Sequence, residues 1–258
     1  MSVSQPIAPP SPLLLALEGR AWLEFVSVVP ALPALVRAPQ GDGHPVLVLP
    51  GWLASDRSTW LLRRFLRERG YWSHGWRLGQ NRGPNEATVR GLAERLQAVH
   101  ERHGQRVSLI GWSLGGIYAR ELARHLPLHV RQVITLASPF RDPSATAVAR
   151  LARLGLVPPP EGGDGGTRRA HLAAPLAVPS TSIYSRTDGI VAWQSCLQEA
   201  GPLSENVEVR SSHCGMGHHP AALLVIADRL AQPDGAWCPL GPANAARWPW
   251  FTATTGRL

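Results

Sequence analysis

The stretch that decides the fold reads Arg106-Val107-Ser108-Leu109-Ile110-Gly111-Trp112-Ser113-Leu114-Gly115-Gly116. Its first half, Arg106 to Ile110, is a short apolar run of the kind a strand shows when a parallel sheet buries both its faces. Its second half is a G-x-S-x-G turn that opens a helix expected from Leu114 to His125. A serine in so sharp a strand-to-helix turn is held in a strained backbone conformation. Glycines on either side leave room for the neighbouring chain to pass. The same turn directs the Leu114 amide and the helix N-terminus toward the serine oxygen, where negative charge develops in acyl transfer. Ser113 is therefore a candidate nucleophile. The competing reading is a turn serine that caps the following helix.

Outward from this stretch, strand and helix alternate. Strands are expected at Pro45–Leu49, Val130–Leu136, Ser180–Tyr184 and Val207–Arg210. Helices are expected at Ser58–Arg69, ending at Gly70, at Asn85–His103, stopped by Gly104, and from about Pro220, a good first helical residue, to Ala231. This order predicts an α/β fold with a mostly parallel sheet flanked by helices. Residues 1–43 read as a Pro-rich, helical extension packed on the body, with short helices around Leu13 to Ala38 broken at Pro30 and Pro33. Residues 44–232 form the main domain. Within it 141–175, with Pro158-Pro159-Pro160 and the glycines of 162–166, is a short lid-like insertion, and 233–258 is an irregular tail.

A nucleophilic serine needs a base, and the base an orienting acid. Asp188, in Tyr184-Ser185-Arg186-Thr187-Asp188, follows one strand, and His213, in Val209-Arg210-Ser211-Ser212-His213, follows the next. That is the chain order such a site requires. Asp142 competes for the acid role, and His218 and His219 for the base, although their place beside Pro220 suits a cap or packing role. Read instead as metal ligands, His213, Cys214, His218 and His219 lack a second ligand group at a zinc-like spacing. The second oxyanion donor is expected after an earlier strand, at Leu49-Pro50-Gly51-Trp52, through the backbone N–H of Trp52; a plain strand-ending turn is the alternative.

Composition narrows the chemistry. The 258 residues are 44% hydrophobic, enough for a sizeable core, and all 26 basic residues are arginine. Without lysine, Schiff-base, pyridoxal-phosphate, Walker-A and protein-kinase chemistries are excluded. The formal charge is +8, but the arginines are scattered apart from Arg63, Arg64, Arg67 and Arg69 on one helix, so no nucleic-acid partner is expected. Cys196, Cys214 and Cys238 read as reduced thiols. No stretch reaches the roughly 18 apolar residues of a membrane span, and the start of the chain lacks a basic signal-peptide region, so a cytoplasmic protein is expected. The ten tryptophans suggest large apolar contact surfaces, and the basic charge with the tail tryptophans leaves transient contact with a lipid surface open.

With LVLPGW, LIGWSLGG, YSRTDGIV and SSHCGMGHHP in this order, the chain resembles the α/β-hydrolase superfamily, in its serine esterase and lipase-like branch, over about residues 44 to 232. The resemblance implies Ser113 as nucleophile, His213 as base, Asp188 as orienting acid and the Trp52 and Leu114 amides as oxyanion donors, with no metal and no organic cofactor. Many lipase-branch members carry His-Gly where this chain has Pro50-Gly51. The expected activity is hydrolysis of a carboxylic ester, small or polymeric, with Trp112 and Phe140 as pocket candidates that hint at an apolar substrate. An acyltransferase or thioesterase using the same triad, or a ligand-binding protein without turnover, are the alternatives. The sequence leaves the oligomeric state open.

Overall fold

The computed structural model describes residues 7–153, 155, 172–199 and 201–240. Six strands form one sheet: β1 (Pro45–Leu49), β2 (Trp72–Gly75), β3 (Val107–Trp112), β4 (Val130–Leu136), β5 (Ser180–Tyr184) and β6 (Ser204–Glu208). All pair in parallel, in the order β2-β1-β3-β4-β5-β6. β1, β3, β4 and β5 are buried along their whole length; β1, β3 and β5 are apolar or small-residue runs, whereas β4 buries Arg131 and Gln132, which bond Asp42, the Gln232 carbonyl and the Arg229 carbonyl.

The helices of the body are α4 (Trp60–Glu68), α5 (Glu86–His103), α6 (Leu114–His125), α7 (Ala147–Arg153) and α8 (Pro220–Leu230). They cover both faces. Leu62, Phe65 and Leu66 of α4 pack with the apolar face of α8 against Val46, Val48, Ile110 and Ile134. Leu92, Leu96 and Val99 of α5 pack with Tyr118 and Leu122 of α6 against Leu47, Leu49, Leu109 and Val133 on the other side. Local chemistry sets the helix ends: the Asn85 side chain accepts from Thr88 N–H at 2.8 Å, and Gly104 closes α5 in the left-handed conformation at φ 62°.

Three short helices precede the sheet: α1 (Pro12–Ala16), α2 (Ala21–Val26) and α3 (Val28–Val36). Leu35 is buried, and Val28 and Ala31 rest on the core cluster that contains α8, while Trp22, Leu23, Val29 and Val36 face outward. Contrary to expectation, neither Pro30 nor Pro33 breaks a helix. Pro30 falls in the first turn of α3, where its missing N–H has no intrahelical acceptor, and Pro33 sits inside the helix. Among the described residues no single helix is long and apolar enough to cross a membrane; Pro12–Val26 and Val28–Val36, bent by 52°, meet that length and composition only as a pair.

Three further differences have physical causes. β2, Trp-Ser-His-Gly, was not expected: it is an edge strand with one neighbour, so it needs no apolar run. β6 starts at Ser204, earlier than the apolar residues suggest, because Glu205 and Asn206 are buried with partners of their own: Arg229, Thr181 and the Leu240 N–H for Glu205, the Gln198 backbone for Asn206. Part of the lid-like insertion is ordered as α7, with Thr146 bridging Val191; positions 154 and 156–171 lie outside the described residues, as does 241–258 of the tail.

The topology places a site. From β1 the chain moves outward to β2, then returns across β1 to β3, so the strand order reverses between β1 and β3. In an open parallel sheet the crevice at the carboxyl ends of such strands is where ligands bind. Leu49 pairs with Gly111 there, which brings Pro50-Gly51-Trp52 beside Trp112-Ser113.

Candidate active site

Ser113 sits between β3 and α6 with φ 54° and ψ −121°, a conformation that costs a residue with a side chain about 1–3 kcal/mol and persists only where the surroundings enforce it. They do so here. The Ser113 N–H donates to the Leu136 carbonyl at 2.8 Å, and the Ser113 carbonyl accepts from the Gly116 N–H at 2.9 Å and the Ser138 hydroxyl at 2.5 Å. The flanking glycines are demanded by packing: a Cβ on Gly111 would lie 2.2 Å from the Gly115 carbonyl oxygen, and one on Gly115 would lie 2.3 Å from that of Leu49. The Ser113 side chain makes no cap hydrogen bond to α6, so helix capping does not occupy its hydroxyl.

Asp188 and His213 meet across the β5 and β6 loops, with Nδ1 of His213 donating to Oδ2 of Asp188 at 2.8 Å. The aspartate is 3% exposed and the histidine 7%. Oδ1 of Asp188 accepts from the Ile190 N–H at 2.8 Å and the Val191 N–H at 2.7 Å, so both carboxylate oxygens are engaged and the side chain cannot turn. Burial alone would lower the His213 pKa, but the charge and hydrogen bond of Asp188, with the charge of Glu18, raise it above its ordinary value. The Trp112 indole N–H donates to the His213 carbonyl at 3.1 Å, which fastens the His213 loop to the residue preceding Ser113.

The other candidates have different tasks. Asp142 accepts from the Ser144 N–H at 3.0 Å and the Ser144 hydroxyl at 2.6 Å, organising its own turn. The His219 ring accepts from the Ala221 N–H at 3.2 Å and caps α8, and His218 donates to the Ala21 carbonyl at 3.1 Å. Among the described residues no group of three or more metal-ligating side chains gathers. Cys196 is buried, Cys214 and Cys238 are exposed, and all three are free thiols. Phe140, a pocket candidate by sequence, has no exposed surface: it packs with Ile117 and Leu172 beneath the Arg120 guanidinium, 4.2 Å from the ring centre. Trp112, the other candidate, is likewise buried, its ring spent on the base loop.

The Pro50-Gly51-Trp52 loop lies against the serine, since a Cβ on Gly51 would sit 3.2 Å from the Ser113 Cβ and 3.8 Å from its Oγ. Among the described residues the Trp52 N–H has no acceptor, and Leu114 opens α6, where first-turn N–H groups have none within the helix. The fully buried Asn81 holds the loop in place. Its side-chain N–H donates to the Pro50 carbonyl at 2.9 Å, its backbone carbonyl accepts from Leu53 N–H at 2.6 Å, and its N–H donates to Ala54 at 2.8 Å. Nothing in the local sequence marks Asn81 for this task, because its partners lie about thirty positions away.

The match to known proteins follows this geometry. The model of the alpha/beta hydrolase family covers residues 46–254. The chain belongs to the alpha/beta hydrolase family. No curated protein sequence matches it. Among solved structures it is similar to the mature form of Bacillus licheniformis lipase BlEst2, at 14% identity over 76% of this chain and 95% of that one, with a TM-score of 0.57. It is also similar to a structure from the metagenome-derived lipolytic enzymes LipS and LipT (18% identity, 74% and 93% covered, TM-score 0.55) and to Aspergillus fumigatus lipase B (17% identity, 75% and 54% covered, TM-score 0.53). At these identities the likeness establishes the fold.

Proposed function

We propose that this alpha/beta hydrolase is a serine carboxylic-ester hydrolase. The observation that carries the reading is the buried Asp188–His213 pair, joined at 2.8 Å and tied through Trp112 to the strained turn that bears Ser113. With Nδ1 engaged by Asp188, Nε2 of His213 is the nitrogen left to take the Ser113 proton. The serine oxygen attacks the ester carbonyl, the carbonyl oxygen gains negative charge, and the Trp52 and Leu114 amides donate to it. The imidazolium, stabilised by Asp188, returns its proton to the departing alcohol. Water then repeats the sequence on the acyl-serine and releases the acid.

An apolar ester is the substrate class we favour. Beside the base loop, Trp22 stacks on Phe25 with ring centres 5.6 Å apart, Phe25 packs edge-on against His218, and Trp22 and Leu23 face solvent. A lipid-like or polyester substrate would match such an exposed apolar patch, and the lipases among the structural neighbours are in keeping with it.

The test is hydrolysis of para-nitrophenyl esters from short to long acyl chains by the parent protein and Ser113→Ala. Turnover by the parent, lost by several orders of magnitude in the variant, is the expected result. Equal inertness of both proteins, with and without a competing alcohol acceptor, would overturn the reading in favour of ligand binding without turnover.

A further inference from the structure

The N-terminal segment reaches into the loops that carry Asp188 and His213 through two glutamates. Glu18 lies in the 3-10 turn Leu17–Arg20 between α1 and α2 and is 9% exposed. Its Oε1 accepts from the Gly189 N–H at 2.7 Å and from the His213 N–H at 2.9 Å, and its Oε2 from the Cys214 N–H at 2.9 Å. One carboxylate therefore joins Gly189, the residue after the acid, to the base itself. Glu24 of α2 extends the same contact, accepting from the Ser212 N–H at 2.8 Å, the Ser212 hydroxyl at 2.6 Å and the Ser211 hydroxyl at 3.1 Å. Arg20 completes it by donating to the Thr187 carbonyl at 2.5 Å.

A carboxylate withdrawn from water loses hydration that must be replaced. Among the described residues no arginine pairs with Glu18, so three charge-assisted backbone bonds do so, and they can form only while the two loops keep their present spacing. The seat is closely fitted: a Cβ on Gly189 would lie 2.2 Å from the Leu14 carbonyl oxygen. The groups that act on His213 are Asp188 from the β5 loop, Glu18 from the N-terminal segment and the uncharged Trp112 indole from β3. Both carboxylates thus favour an imidazolium, while the segment's own cation, Arg20, is engaged by the Thr187 carbonyl and by Glu24 at 3.4 Å.

We propose that Glu18 is a positioning residue for the hydrolysis proposed above: it locks the Asp188 loop to the His213 loop, and its charge adds to that of Asp188 in stabilising the imidazolium. The N-terminal segment is then part of the catalytic apparatus rather than a cover on it. The inference rests on the triad reading, so its test must separate the two.

The parent, Ser113→Ala, Glu18→Gln and Glu18→Asp are treated with a fluorophosphonate, and the rate of serine labelling is followed from pH 5 to 9 alongside thermal unfolding. The parent is expected to be labelled at Ser113 and Ser113→Ala not at all. In Glu18→Gln the amide NH2 must face either the Cys214 N–H or the Gly189 and His213 pair, so one loop shifts. The labelling rate should fall about 10- to 100-fold, and the acid limb of the profile should move to lower pH because a negative charge near His213 is gone. Glu18→Asp keeps the charge with a shorter reach: its rate should fall while its acid limb stays with the parent's, and it carries the test if the Gln variant does not fold. Parent-like rates in the folded variants, or slowing with an unmoved acid limb in Glu18→Gln, would overturn the proposal and leave Glu18 a fastener of the segment. An unlabelled parent would overturn the triad reading itself, and this inference with it.

Discussion

Replacing Asp188 by asparagine changes one atom, and the surrounding hydrogen bonds dictate where that atom goes. The Oδ1 position receives two backbone N–H groups, from Ile190 at 2.8 Å and Val191 at 2.7 Å, whereas the Oδ2 position receives only the His213 ring at 2.8 Å. Turning the new NH2 toward Ile190 and Val191 would leave two buried donors unsatisfied, at about 1–3 kcal/mol each, or about 2–6 kcal/mol in all. The asparagine oxygen therefore stays at the Oδ1 position and the NH2 faces His213. Nδ1 must then accept, the ring proton moves to Nε2, and the nitrogen needed by Ser113 is blocked. The same tautomer error in serine-protease triads costs about 10⁴ in kcat. A fall of about 10³–10⁴ is expected here, which is about 4–5.5 kcal/mol of barrier at about 1.36 kcal/mol per decade. The assay is steady-state hydrolysis of a para-nitrophenyl ester by the parent, Asp188→Asn and Asp142→Asn, with circular dichroism to show that each is folded. Retention of more than a tenth of parental kcat in Asp188→Asn, or a larger loss in Asp142→Asn, would refute the reasoning.

The raised His213 pKa predicts that kcat/KM falls as pH drops through a value above the ordinary 6.5; an acid limb below 6.5 would contradict it. The sign for stability is opposite: the His213 contribution is complete below about 6.5 and is lost as pH rises through the folded-state pKa, which a titration of unfolding midpoints would detect. Arg229→Met leaves the buried Glu205 without its 2.9 Å ion pair but with the Thr181 hydroxyl and the Leu240 N–H, so a loss of about 3 kcal/mol and a fall in Tm of about 6–12 °C are expected in thermal denaturation. Gly115→Ala drives a methyl to 2.3 Å from the Leu49 carbonyl, backbone against backbone, and should cost about 1–3 kcal/mol and more than tenfold in activity by displacing the Trp52 loop; wild-type Tm and kcat together would refute the tight approach.

How much of this site could be read in advance depends on the range of the interactions that make it. Ser113 is announced by residues within two positions of it, because the strand end, the turn and the helix start are all local. Asp188 and His213 are legible through chain order, since each must follow its own strand of a parallel sheet. Proximity to the serine loop in sequence says nothing about which way the Phe140 side chain turns; it turns under Arg120. β2 escaped notice because a polar edge strand has no pattern beyond its pairing with β1. Glu18 and Glu24 stood among apolar residues, a signal that something polar must meet them, but their partners lie 171 to 196 positions away.

By itself the sequence determined the α/β alternation, the serine turn, the placing of Asp188 and His213 after successive strands and the exclusion of lysine chemistry. Each follows from local periodicity, from steric demands on adjacent residues or from composition. The tertiary structure decided the strand order that puts the crevice between β1 and β3, the orientation of Asp188 between its two amides, the anchoring of the Trp52 loop by Asn81, and the seating of the N-terminal segment on the base loop. These are contacts between chemically ordinary groups far apart in the chain. A carboxylate takes whichever N–H groups the folded backbone presents to it, so its partners exist only once the sheet has brought the loops together.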